Sequence, residues 1–191
     1  MADEDKGANV TVVLTGLSLA VSAGTATLQL FRPLPDDRPC YRIVGLIAAE
    51  TARIERLLDQ AICNLASLEL RMGACITGQM VGPTPRFNAL VQMAGERNLT
   101  PGLIKRIKTT SGRTSGIFDR RNRAVHDPWL YEEDSGTPYQ FRGKPRTDPA
   151  FGPTPVSEQE LKDTLGEIRK HRDIINELVS DIWTELRPAS G

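Results

Sequence analysis

The chain has 191 residues, enough to bury one ordinary hydrophobic core, whereas two full domains would each sit near the lower limit for independent folding. Its 24 basic and 24 acidic side chains cancel, which excludes wholesale attraction to nucleic acid or an anionic membrane, so any basic surface must be local. Cys40, Cys63 and Cys75 form an odd set without CxxC spacing, and only His126 and His171 could join them; this argues against structural zinc and for reduced, buried or incidental thiols in a cytosolic protein.

Between Lys6 and Arg32 the chain carries no charge, and residues 10–31 are apolar and rich in small side chains. That length spans a bilayer, although the acidic start Met1-Ala2-Asp3-Glu4-Asp5 is unlike a secretory signal. Two expectations follow. As a membrane anchor, the segment would leave the main domain on the cytoplasmic side, because Arg32, Arg38 and Arg42 follow it. As short strands, it would use Val12-Val13-Leu14, Leu17-Ser18-Leu19 and Ala26 to Leu30, with Thr and Ser diluting the apolar run. Pro33, Pro35, Asp36, Asp37 and Pro39 then form a linker, so residues 1–39 read as an apolar segment with a Pro-rich tail, and residues 40–187 as the domain proper.

From Tyr41, the residues Ile43, Ile47, Ile54, Leu58, Ala61, Ile62 and Leu65 recur at three- and four-residue steps, predicting a long amphipathic helix. A break around Gly73 to Pro85 precedes a shorter helix over Arg86 to Arg97. Thr100 before Pro101 supplies an N-cap and a preorganised first position for another helix. Gly112 and Gly116 weaken its middle, so it is either kinked or in two pieces before Ile117 to Val125 resumes the spacing. Pro128 disfavours helix at Asp127 and places His126 at or beside the helix end.

Trp129-Leu130-Tyr131 and Tyr139-Gln140-Phe141 flank Asp134-Ser135-Gly136, predicting an exposed hairpin. Its aromatics either pack the hairpin or stack on exposed bases. Arg142 to Pro155 reads as a loop rich in Pro, Gly and basic groups. Ser157 and Glu160 form a capping box that opens the last helix, whose stripe runs from Leu161 to Leu186 and stops at Pro188. On it His171, between Lys170 and Arg172 and without a visible partner, reads as a surface residue. The whole predicts an all-α protein, an antiparallel bundle of four to five helices with a small β-hairpin inserted before the last helix.

The chemistry concentrates in Arg120 to His126. Guanidinium groups pair bidentately with phosphate oxygens, and imidazole exchanges a proton near neutral pH. Together they suit RNA cleavage without a metal: His126 deprotonates a ribose 2′-hydroxyl and Arg121 stabilises charge developing on the phosphate. Asn122, four residues before His126, shares its face and can orient the imidazole. Arg120 and Arg123, with Lys105, Arg106 and Lys108 upstream, and Arg113, supply either a local RNA-backbone surface or a solvated face. Five residues on an ideal helix put Arg121 and His126 roughly 140° apart, so they converge only if the helix end unwinds or a second copy completes the site.

Arg121, four intervening residues and His126, with Asn122 directly after the arginine, resemble the Arg-x4–6-His motif of the HEPN superfamily. Its place near the end of a main helix, followed by a hairpin and a capped last helix, is similar to that superfamily's bundle over residues 40–187. The resemblance implies a metal-independent endoribonuclease without a cofactor, acting as a homodimer in a toxin-like or defence role. Arg121 would stabilise the phosphate, Asn122 support, and His126 perform acid–base catalysis. No nucleotidyltransferase signature is present, so an antitoxin of that type would be a separate protein. The same bundle without catalysis would be an interaction or RNA-binding module, membrane-associated if residues 10–31 are an anchor.

Overall fold

A computed structural model describes residues 10–14, 17–21, 31–143 and 151–187. They form five helices, α1 (Pro39–Ala66), α2 (Leu70–Thr77), α3 (Pro83–Glu96), α4 (Pro101–His126) and α5 (Glu158–Leu186). They also form six strands, β1 (Val10–Leu14), β2 (Leu17–Val21), β3 (Phe31–Pro33), β4 (Trp129–Glu132), β5 (Pro138–Gly143) and β6 (Phe151–Pro155). The chain is therefore predominantly helical with a small antiparallel sheet, and it divides into two compact units.

The first unit comprises Met1–Arg42 and His126–Leu161. Here β1 and β2 pair antiparallel, with Val10 opposite Val21. The strand expectation for the N-terminal segment thus holds where the segment is described, while residues 15–16 and 22–30 lie outside the described residues. Among those described, no helix is long and apolar enough to cross a membrane. The predicted hairpin exists as β4 and β5, but it is the middle of a four-stranded sheet in the order β3-β4-β5-β6. Of the flanking strands, β6 comes from the stretch read as loop and β3 from the junction between the apolar segment and the linker. Proline cannot donate to a β ladder, so Pro-rich sequence reads as irregular; an edge strand tolerates it because one side needs no partner. Pro33 lies in β3, and in β6 Pro153 and Pro155 face Phe141 and Tyr139, so both edges are blunted against further pairing. The aromatics pack within the unit: Phe31 meets Tyr139 edge-on at 5.0 Å between ring centroids, and Tyr41 meets buried Trp129 at 6.4 Å.

The second unit, Ile43–Val125 and Lys162–Gly191, is the helical bundle. Ile47, Ile54, Leu58, Ile62 and Leu65 of α1 are fully buried, as are Phe87 and Leu90 of α3, Ile107 of α4, and Ile168, Ile175 and Leu178 of α5. Each such side chain contributes about 1.5–3 kcal/mol by leaving water, which is why single stripes must meet one another. The α4–α5 pair is antiparallel, because partners descend in α5 as they ascend in α4: Thr100 with Glu185, Arg106 with Asp181, Thr114 with His171, Arg120 with Glu167. The break predicted over Gly73 to Pro85 instead contains α2 and the first turn of α3. At Gly73 a Cβ would stand 2.1 Å from the Cys63 Sγ, so only glycine permits this approach of α2 to α1.

Candidate functional site

Thr100 caps α4: its Oγ1 accepts the Leu103 N–H at 3.4 Å and donates to Glu185 at 2.7 Å. From there the helix runs unbroken to His126, so of the two expectations for Gly112 and Gly116 the division into two pieces does not occur. Nothing lies within 4 Å of a Cβ built at either glycine. Pro128 ends the helix as expected, with His126 its last residue. The end does not unwind before His126, so the 140° between Arg121 and His126 that helical rotation imposes on one chain stands.

The buried side of α4 follows Leu103, Ile107, Thr110, Thr114, Ile117 with its neighbour Phe118, and Ala124, in alternating steps of four and three as far as Ile117 and then a gap before Ala124. Arg121 fills that gap in the series. Its stem accordingly lies on the seam side and its Nε is sealed from solvent, while Nη1 reaches outward and donates to the Asn122 Oδ1 at 3.0 Å. Asn122 and His126 are exposed and one turn apart on α4. The end of the Arg121 guanidinium is thereby carried toward the Asn122 side of the helix, although its Cα points elsewhere.

The basic residues separate into two stripes. Arg106, Arg113 and Arg120 recur every seven residues along the flank facing α5. Arg106 pairs with Asp181 at 2.6 Å and Arg120 with Glu167 at 2.7 Å, so both of these RNA-binding candidates already have carboxylate partners. Lys105, Lys108 and Arg123 are exposed, and helical spacing puts them on the outer face together with His126.

Arg86, Glu50 and His171 are buried ionisable groups that escaped the sequence reading, and the last two titrate within reach of ordinary pH. His171 is buried instead of surface-exposed: its Nε2 lies 2.7 Å from the Thr114 Oγ1, which itself donates to the Thr110 carbonyl at 2.8 Å. With the hydroxyl proton given to that carbonyl, both contacts are satisfied when Nε2 carries a hydrogen and donates to Thr114. Burial, aided by the charge of Arg113, pushes the imidazole pKa below its ordinary value and favours the neutral ring. Glu50 of α1 is buried under Arg172 at 2.7 Å, Arg53 at 3.0 Å and Arg169 at 3.3 Å. Burial alone would raise its pKa, but the hydrogen bonds from Arg172 and Arg169 and the charges of Arg172 and Arg53 hold it below the usual carboxylate value. The spacing of His171, between two cations that face elsewhere, hid its place on the seam; its four-residue step to Ile175 was the available signal.

In the first unit, a cavity of about 660 Å³ is lined by Leu34, Pro39, Cys40, Pro138 and Val156 together with the charged Arg38 and Glu158. Burial pushes the Cys40 thiol up, away from a reactive thiolate. Among the described residues no group of three or more His, Cys, Asp or Glu is placed to hold a metal. Comparison with protein-family models, with curated proteins and with solved structures finds no match for this chain.

Proposed function

We propose that the chain is a metal-independent endoribonuclease of HEPN type, cleaving RNA at the outer face of the α4 terminus and acting as a homodimer. The hydrogen bond from Arg121 to Asn122 carries this reading, because it brings a guanidinium, rooted in the seam, to the side of α4 where Asn122 and His126 are exposed. In the reaction His126 takes the proton of a ribose 2′-hydroxyl, the 2′-oxygen attacks the adjacent phosphorus, and the 5′-oxygen of the next nucleotide leaves with a proton. The products are a 2′,3′-cyclic phosphate and a 5′-hydroxyl. Arg121 neutralises the charge gathering on the phosphate oxygens, Asn122 holds the guanidinium, and Lys105, Lys108 and Arg123 track the RNA backbone. A second copy supplies whatever the 140° separation withholds within one chain. A toxin-like or defence role, balanced by a separate antitoxin protein, belongs to the same reading.

The sealed Nε of Arg121 favours a second reading, a catalytically silent interaction or RNA-binding bundle in which Arg121 only closes the helix end. Cleavage of mixed RNA in EDTA, scored for cyclic-phosphate ends, separates the two. Ribonuclease chemistry predicts that His126→Ala lowers the rate by about 10²–10⁴-fold and Arg121→Ala by about 10²–10³-fold, both folded by circular dichroism. Intact RNA binding with no cleavage by the parent protein would establish the silent module.

A further inference from the structure

Helix α2 is built inside out. Its buried residues are Gly73 and Thr77, whereas Met72, Cys75 and Ile76, at i, i+3 and i+4 on one side, are exposed. Just beyond the helix, Val81 is 91% exposed. It is not left loose, because Arg86 donates to the Met80 and Gly82 carbonyls on either side of it, at 2.6 and 2.8 Å. A fixed apolar surface facing water is a marker of a contact surface.

We infer that this face of α2 packs against α2 of a second copy of this chain, antiparallel, across a two-fold axis passing beside Cys75. Three observations select a second copy. Met72, Cys75 and Ile76 carry no charge, as does Val81 beyond the helix, so apart from Arg71 beside Cys75 nothing here repels its own image. Arg71 stands in the first turn of α2, the unfavourable end for a cation, and the last turn holds no basic residue. An antiparallel copy sets each Arg71 beside the C-terminal end of the other helix, near Gly78 and Gln79, where the helix dipole favours it. Finally, a large aliphatic side chain carries on the order of 100 Å² of apolar surface, so the exposed parts of these residues make a patch of a few hundred Å² per copy. That is the apolar centre of an interface somewhat under the usual ~800 Å² per partner, which fits a reversible dimer. No residue of the Arg121–His126 motif takes part, so this contact is not the one by which a second copy would complete the α4 site; a monomer counts against both readings, and a dimer indifferent to the substitutions below counts against this one alone.

Sedimentation of the reduced full-length protein from about 5 to 200 µM would show the mass doubling with concentration. Met72→Glu and Val81→Glu, both at exposed positions and checked for fold by circular dichroism, are expected to weaken association at least tenfold. Arg71→Glu should weaken it as well. Mild oxidation is expected to link two chains through Cys75, since Cys40 and Cys63 are buried; Cys75→Ser would abolish the link and keep the reversible dimer. A monomer throughout that range, a dimer indifferent to both glutamates, or cross-linking that survives Cys75→Ser would overturn the inference. RNA cleavage by a dimer indifferent to the glutamates would overturn it while leaving the ribonuclease reading intact.

Discussion

Arg86 is a cation inside the bundle, and the bundle is arranged around its needs. Its Nε donates to Asp59 at 2.8 Å, Nη1 to the carbonyls of Met80 and Gly82, and Nη2 to the Thr77 carbonyl at 3.3 Å. A buried guanidinium is tolerable only when paired and fully hydrogen-bonded, and removing it strands Asp59 and three carbonyls together. Arg86→Ala is expected to cost about 3 kcal/mol, read as a fall in the urea midpoint without a change in slope. Arg86→Lys should recover only part, since one ammonium cannot serve both flanks of Val81 and Asp59 at once. A midpoint within error of the parent for Arg86→Ala would show that water replaces these bonds. At this scale the sequence was uneven. The exposed ends of α4 were legible, because Pro128 and Thr100 act on their immediate neighbours. Arg86, Glu50 and His171 were not, because each has an essential partner 27 to 122 positions away.

Elements were more legible than residues where the signal was periodic or local. The stripes of α1, α4 and α5 mark helices that exist, and the capping box is realised in both directions: the Ser157 N–H donates to Glu160 and the Glu160 N–H to the Ser157 Oγ, each at 3.1 Å. The reading failed where a residue with a poor intrinsic preference was recruited by its surroundings. Glycine at position 73 reads as a breaker, yet it is what lets α2 lie against α1. Gly73→Ala forces a methyl onto the Cys63 Sγ, 2.1 Å away, and is expected to destabilise by about 1–3 kcal/mol, although alanine is the better helix former. Adding Cys63→Ala removes the obstructing sulfur, so the double variant should lose less than the two single losses together. Strict additivity of the two in urea unfolding would mean that α2 does not rest on Cys63. The edge strands teach the same lesson, since Pro33, Pro153 and Pro155 are tolerated only because of where the sheet ends.

At the scale of the whole molecule, zero net charge conceals a directional response to acid. Glu50 joins α1 to α5, and His171 joins α5 to α4, so three helices of the bundle depend on groups that titrate. The folded pKa of His171 is held below its ordinary 6.5, so on acidification the unfolded chain takes up a proton first, and stability falls as the pH drops below about 6.5 toward the folded value. Glu50 is also held below its ordinary 4.5; its ion pairs contribute fully above that value and are lost as the pH falls through the folded pKa. Both act in one direction, so acid unfolding should come in two stages. The urea midpoint is expected to be level at mildly alkaline pH, to decline below about 6.5, and to decline again in the carboxylate range. His171→Gln, which can still donate to Thr114, should flatten the first decline and leave the second; Glu50→Gln should lower the midpoint at neutral pH by stranding its arginines and remove the second. A decline between neutrality and mild acid that is identical in the parent and in His171→Gln would show that the buried imidazole does not set the acid limit of the bundle.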